Sequence, residues 1–166
     1  MNEKEVESLL KETKAILEGH FLLTSGLHSP LYVEKFNVLQ HPEYTEKLCQ
    51  EFANHFKDMG IETVIGPATG GIILSQVTAR LLGVRSIFTE RENGKMTLRR
   101  GFKVAPGEKV LIVEDIIDSG LTMQYLRQLF GARNPASITT ISFLDKATCH
   151  DKSLKTDICG FEIPDE

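Results

Sequence analysis

An α/β fold, with a mostly parallel central sheet flanked by helices and a small N-terminal hood, is what this sequence predicts. Three observations carry the prediction. Between Thr63 and Leu144, short apolar segments alternate with segments of helical periodicity, the pattern of a parallel sheet covered on both faces. Val110-Leu-Ile-Val113 is an unbroken apolar run, as expected of a strand buried on both sides. The 166 residues suit one domain with a sizeable core, and no composition shift, repeat or low-complexity stretch marks a second. A single domain over residues 1–166 is therefore expected, the hood mainly within 1–40 and the core from about 41 to 166.

The elements follow in order. Val6, Leu9, Leu10, Thr13, Ile16 and Leu17 recur at helical spacing, predicting an amphipathic helix over 3–18 that stops at Gly19. Phe21–Leu23 and Leu31–Val33 read as short strands around the turn Thr24-Ser25-Gly26-Leu27-His28-Ser29-Pro30. Pro42 suits the first residue of a helix that presents Leu48, Phe52, Phe56 and Met59 and ends near Gly60. Strands are then expected at Thr63–Gly66, Val84–Phe88, Val110–Val113 and Ser137–Leu144, and helices at Gly71–Leu82 and Leu121–Phe130. A polar, glycine-containing loop follows Phe88.

Composition removes several classes of function. Hydrophobic residues are 41% and charged residues 25%, as in soluble globular proteins, and no apolar run is long enough to cross a bilayer. The N-terminus lacks the basic-then-apolar order of a signal peptide, so a cytoplasmic location is expected, with no membrane partner. Cys49, Cys149 and Cys159 are odd in number and lack Cys-x-x-Cys spacing, against a disulfide framework or a structural zinc site. The net charge of −4 argues against a nucleic-acid partner.

The chemistry concentrates at Val110–Thr122. The strand runs into two adjacent carboxylates, Glu114 and Asp115, and then into the loop Asp118-Ser119-Gly120, which opens a helix at Leu121 or Thr122. Ligands of open parallel sheets bind beyond the carboxyl ends of the strands. Two acids there can accept hydrogen bonds from vicinal hydroxyls or approach Mg²⁺, and the N–H groups of the helix start suit a phosphate. Diol, metal and phosphate together describe a phosphorylated sugar. The Gly-Lys-Ser/Thr of a Walker A loop and the Gly-x-Gly-x-x-Gly dinucleotide fingerprint are both absent. The segment closely resembles the PRPP-binding motif of type I phosphoribosyltransferases, which implies that family's fold.

Other segments acquire meaning beside it. Gly66-Pro67-Ala68-Thr69-Gly70-Gly71-Ile72 links a strand to a helix, either as a tight turn or as a loop whose N–H groups approach pyrophosphate. Glu90–Gly101 is polar and carries Arg91, Lys95, Arg99 and Arg100, as a solvated hairpin tip or as a mobile basic loop that closes over a polyanion. Thr24–Lys35 combines hydroxyls, a histidine, an aromatic ring and a lysine, and reads equally as a structural turn or a cradle for a planar base. Asp145-Lys146 is a surface turn or a contact to the base. Cys149-His150-Asp151 invites a nucleophile reading, but neighbours in sequence are not thereby neighbours in space.

Over nearly its whole length the chain resembles the orotate phosphoribosyltransferase family. Phe21–Pro30, Gly66–Gly71, Phe88–Phe102 with its Thr-Leu-Arg-Arg-Gly-Phe signature, and the acidic motif carry the resemblance in order. It implies a Mg²⁺-dependent transfer of 5-phosphoribosyl from PRPP to orotate, through an oxocarbenium-like transition state with inversion at C1. Carried over by position, Glu114 and Asp115 hold the ribose hydroxyls and stand nearest the metal, mainly through substrate or water. Asp118, Ser119, Gly120, Leu121 and Thr122 hold the 5-phosphate, while Ala68, Thr69 and Gly70 line the pyrophosphate loop. Lys95 and Arg91 match the catalytic loop cations, with Asp118 as a third catalytic candidate. Thr24, Ser25, Gly26, Lys35 and Lys146 form the base-binding set. A homodimer with shared active sites is implied as well.

The chain departs from many members at Thr24, Leu27, Met96-Thr97 and Lys146, all in the base-binding and loop regions. Asp118-Ser119-Gly120-Leu121-Thr122 also resembles the hypoxanthine/guanine enzymes, in which a loop aspartate and a later lysine read the purine. A purine phosphoribosyltransferase is thus the alternative, and a PRPP-sensing regulator without turnover the third reading.

Overall fold

The computed structural model describes residues 1–23, 26–146, 151, 153 and 156–162. The chain opens with α1 (Glu3–Glu12), started by a reciprocal cap between Asn2 and Glu5. It ends six residues before the Glu18 that periodicity suggested. The Thr13 hydroxyl donates to Leu9 O, Lys14 takes a left-handed φ of 54°, and Ala15 N–H donates to Leu10 O at 2.8 Å. These bonds make a Schellman stop at a non-glycine residue. Ile16 and Leu17, which continue the helical spacing, instead begin β1 (Ile16–Leu22), antiparallel to β2 (His28–Val33). This pair forms its own two-stranded sheet.

A short helix that periodicity does not reveal, α2 (Phe36–Leu39), follows, its Val38 and Leu39 buried in the core. Next comes α3 (Pro42–Phe56), with Pro42 at its start as expected. Leu48, Phe52 and Phe56 are buried, whereas Met59 lies past the helix end and is exposed.

The central sheet comprises β3 (Thr63–Pro67), β4 (Arg85–Glu92), β5 (Lys95–Thr97), β6 (Lys109–Ile117), β7 (Ser137–Asp145) and β8 (Ile158–Glu162), in the order β5-β4-β3-β6-β7-β8. All neighbours are parallel except β5, which returns antiparallel along β4. Helices α4 (Gly70–Leu82) and α5 (Leu121–Gly131) supply crossovers. Alternation along the strands sorts the core into two layers. Val64, Leu111, Val113, Ile141 and Phe143 pack toward α1, α2, α3 and α4, while Ile65, Val110 and Ile112 pack against Met123, Leu126 and Phe130 of α5.

Two differences from expectation bear on the site. First, β4 runs on to Glu92 and turns through Asn93-Gly94, both at positive φ (49° and 78°), into β5. An Asn-Gly pair is the preferred two-residue hairpin turn, so the segment that follows Phe88 begins as the hairpin that is one of its two readings rather than as an open loop. Second, β6 extends beyond Val113, so that Glu114 and Asp115 lie within the strand. It pairs with β3 only from Val110 to Ile112 but with β7 as far as Ile117. The carboxyl halves of β3 and β6 therefore diverge. From β3 the chain crosses to β4 on one side, and from β6 to β7 on the other. That is the switch point at which open α/β sheets place ligands. The strand β8 was not foreseen.

Candidate functional site

The divergence of β3 and β6 opens onto the acid pair. Glu114 and Asp115 are 6% and 5% exposed. Glu114 Oε1 accepts from Asp115 N–H at 3.0 Å, and Asp115 Oδ1 from Ile116 N–H at 2.7 Å. Asp115 Oδ2 meets the Lys35 ammonium at 2.7 Å. Lys35, grouped with the base contacts on sequence grounds, thus sits against Asp115. Residues 35 and 115 are too distant in sequence for spacing to join them.

Burial, and then the adjacent Asp115 charge, hold the Glu114 carboxyl well above its ordinary value of 4.5, although Lys35 opposes the shift. The unfolded chain releases this proton near 4.5; the folded chain keeps it to higher pH. The folded state binds more protons in that window, so this residue's contribution to stability falls as pH rises above about 4.5. Glu114→Gln, uncharged throughout, should flatten that fall, as thermal melts in metal-free buffer across the window would show. An unchanged slope would contradict the assignment.

Beside the acids lies the turn from β3 to α4. Ala68 N–H donates to Thr89 O at 2.8 Å, and the Ala68–Thr69 peptide is cis. A Cβ at Gly70 would stand 2.0 Å from Asp115 Oδ2, and one at Gly71 2.6 Å from Pro67 Cδ and 3.0 Å from Val113 O. Only glycine lets this turn press against β6, which puts its backbone next to the carboxylates. Ala68, Thr69 and Gly70 are therefore brought to Glu114 and Asp115.

On the other side, Gly120 caps α5 with φ 76°, and Leu121 N–H reaches Ser119 Oγ at 3.4 Å. The first-turn N–H groups of this eleven-residue helix face the carboxyl end of β6, an arrangement that favours an anion. Arg91 adds a guanidinium here, with Nη2 3.3 Å from Thr122 Oγ1 and Nη1 3.2 Å from Gly94 O. Register pairs Arg91 with Met96 and Glu92 with Lys95. Paired residues share a face and neighbours alternate. Arg91 accordingly faces its own α5, and the exposed Lys95 lies on the opposite face of the hairpin.

Lys146 Nζ is 3.9 Å from Asp118 Oδ1, and Lys146 N–H donates to Ile117 O at 2.9 Å. These two residues, coupled only in the purine reading of the sequence, are neighbours in space. Gly26 sits in the hood turn with φ 84°. Thr24, Ser25, Cys149 and His150 lie outside the described residues. Among the described residues, no group of three or more His, Cys, Asp or Glu side chains converges to hold a metal, and no helix is long and apolar enough to cross a membrane.

The chain is similar to known proteins in sequence and in fold. A model of the phosphoribosyl transferase domain matches residues 37–166. The orotate phosphoribosyltransferase of Desulforamulus reducens is 61% identical over 120 residues, 72% of this chain and 63% of its own length. This chain therefore matches less than two thirds of that relative. The orotate phosphoribosyltransferase of Caldicellulosiruptor bescii is 45% identical over 147 residues, 89% of this chain and 77% of its own length. The crystal structure of orotate phosphoribosyltransferase from Aeropyrum pernix, 21% identical, shares the fold with a TM-score of 0.71 over 86% of this chain and 82% of that one. The central sheet is thus that of the type I phosphoribosyltransferases. With most of its length under the domain model and a close match to more than two thirds of the Caldicellulosiruptor protein, the chain belongs to the phosphoribosyltransferase family, in the group of the orotate phosphoribosyltransferases.

Proposed function

We propose that this chain transfers the 5-phosphoribosyl group of PRPP to orotate, releasing orotidine 5′-monophosphate and pyrophosphate in pyrimidine (UMP) synthesis. The observation that carries the reading is the buried acid pair set between a glycine-tight turn and a helix N-terminus at the sheet's switch point. PRPP has anions at both ends and a diol between them. Asp115 and Glu114 take the diol, the Ala68–Gly70 turn takes the pyrophosphate, and Asp118–Thr122 take the 5-phosphate with Arg91 beside them. The C1–O bond breaks and its electron pair leaves on pyrophosphate, while an orotate ring nitrogen forms the new bond at C1 and gives up its proton to the departing pyrophosphate or to water.

Mg²⁺ is the proposed cofactor. The donor set suits an ion carried mainly by substrate oxygens and water, because Mg²⁺ keeps much of its hydration and needs only one or two carboxylates. Glu114 and Asp115 are those carboxylates, and the ion would neutralise pyrophosphate charge. In a cytoplasmic homodimer, the Lys95 face of the hairpin would serve the partner's site while Arg91 serves its own. The base would take its contacts from Thr24, Ser25, Gly26 and Lys146.

The Asp118–Lys146 approach at 3.9 Å favours a second reading, a purine base. Pyrophosphate release with orotate, hypoxanthine, guanine, adenine, uracil and xanthine in turn separates the two. Release with orotate alone is the expected result; release with hypoxanthine or guanine instead would move the assignment to the purine enzymes. Absence of pyrophosphate release with every base, with PRPP still bound, would favour a PRPP sensor.

A further inference from the structure

We propose that Lys35, reaching in from the junction of hood and core, is a direct ligand of the leaving pyrophosphate. The inference rests on the phosphoribosyl reading of the site. Its first support is position. Lys35 Nζ is 2.7 Å from Asp115 Oδ2, the oxygen against which the Gly70 turn is packed so tightly that a methyl group would fall 2.0 Å from it. Carboxylate, ammonium and turn thus meet at one point, and an anion seated on the turn lies within reach of the ammonium.

The second support is unused capacity. An ammonium carries three donors, and Asp115 Oδ2 takes one. The Lys35 side chain is still 26% exposed while its carboxylate partner is 6% exposed, and its Nζ stands 5.7 Å from the centre of the Phe36 ring, so donor capacity remains beyond the bond to Asp115. The third is fixity. Lys35 immediately precedes α2, whose Val38 and Leu39 are buried, and Glu34 N–H is tied to Ala15 O at 2.7 Å. The backbone that carries Lys35 is therefore anchored to the core, and Asp115 holds the ammonium beside the turn. The turn itself contains no cationic side chain, since residues 66–71 are Gly-Pro-Ala-Thr-Gly-Gly. Lys35 supplies that charge from another element, and in the free chain its charge rests on Asp115.

Calorimetric titration of the purified chain with Mg²⁺-saturated inorganic pyrophosphate, and separately with ribose 5-phosphate, tests this. Lys35→Met should weaken pyrophosphate binding about 10–100-fold, the loss expected of a charged hydrogen bond, and leave ribose 5-phosphate within about threefold. Lys35→Arg should recover most of the pyrophosphate affinity. Because Lys35→Met leaves Asp115 buried without its cation, Lys35→Met is also compared in an Asp115→Asn background, where pyrophosphate should weaken again. Unchanged pyrophosphate affinity, or an equal loss for both ligands, would overturn the assignment, the latter because Lys35 would then act only by orienting Asp115. Wild-type chain that binds neither ligand would overturn the phosphoribosyl reading and this inference with it.

Discussion

Lys95→Ala should lower the turnover number by about 10²–10³, the usual cost of removing one group that stabilises charge developing in a transition state. The affinity for PRPP, measured by calorimetry, should stay within about threefold, because an interaction confined to the transition state contributes little to ground-state binding. The expectation comes from the family position of Lys95 combined with its geometry. Lys95 is exposed on the face of the β4–β5 hairpin opposite Arg91, so it points away from its own α5. A cation so placed reaches a site only when that site closes against it. Mixing Lys95→Ala subunits with Asp115→Asn subunits should then restore part of the activity, since one composite site in a mixed dimer would hold both native residues. Turnover of Lys95→Ala within twofold of wild type would remove this lysine from the chemistry.

Asp115→Asn should weaken PRPP binding about 10–100-fold. The change keeps side-chain volume, so the packing against Gly70 survives, but it removes the charge that faces Lys35 and replaces one acceptor with a donor. A ribose diol can no longer donate to both oxygens, and the half-buried Lys35 ammonium loses its partner. The same variant should bind inorganic pyrophosphate with much less loss, because in the proposed site the contact removed is to the ribose. Equal affinity of wild type and Asp115→Asn for PRPP would refute the diol role.

How much of this was legible in the sequence depends on how local the determining contacts are. Val110–Val113 with its two acids, the Gly66–Gly71 turn and the Pro42 helix start were all readable, because strand, turn and cap each depend on residues a few positions apart. The end of α1 was not. Ile16 and Leu17 continue the helical spacing, and only the left-handed Lys14 diverts them into β1. The β4–β5 hairpin was partly readable in Asn93-Gly94, but its polar surface gave it the look of a loop. Strand β8 contains Gly160, where a Cβ would lie 2.6 Å from Phe143 O, so its glycine reflects close strand packing yet reads as a break. The contacts of Lys35 with Asp115 and of Arg91 with Thr122 join distant segments, and no spacing rule reaches that far. The Asp118–Lys146 approach was foreseeable only through a family resemblance, not from the residues themselves.

The central claim is that this site joins phosphoribose to orotate, and one absorbance measurement bears on it directly. Orotate is followed in the ultraviolet with PRPP, Mg²⁺ and the chain present, and then with each omitted in turn. Loss of orotate absorbance in the complete mixture alone is the predicted result. Unchanged absorbance in that mixture, with PRPP binding demonstrated on the same preparation, would contradict the orotate assignment.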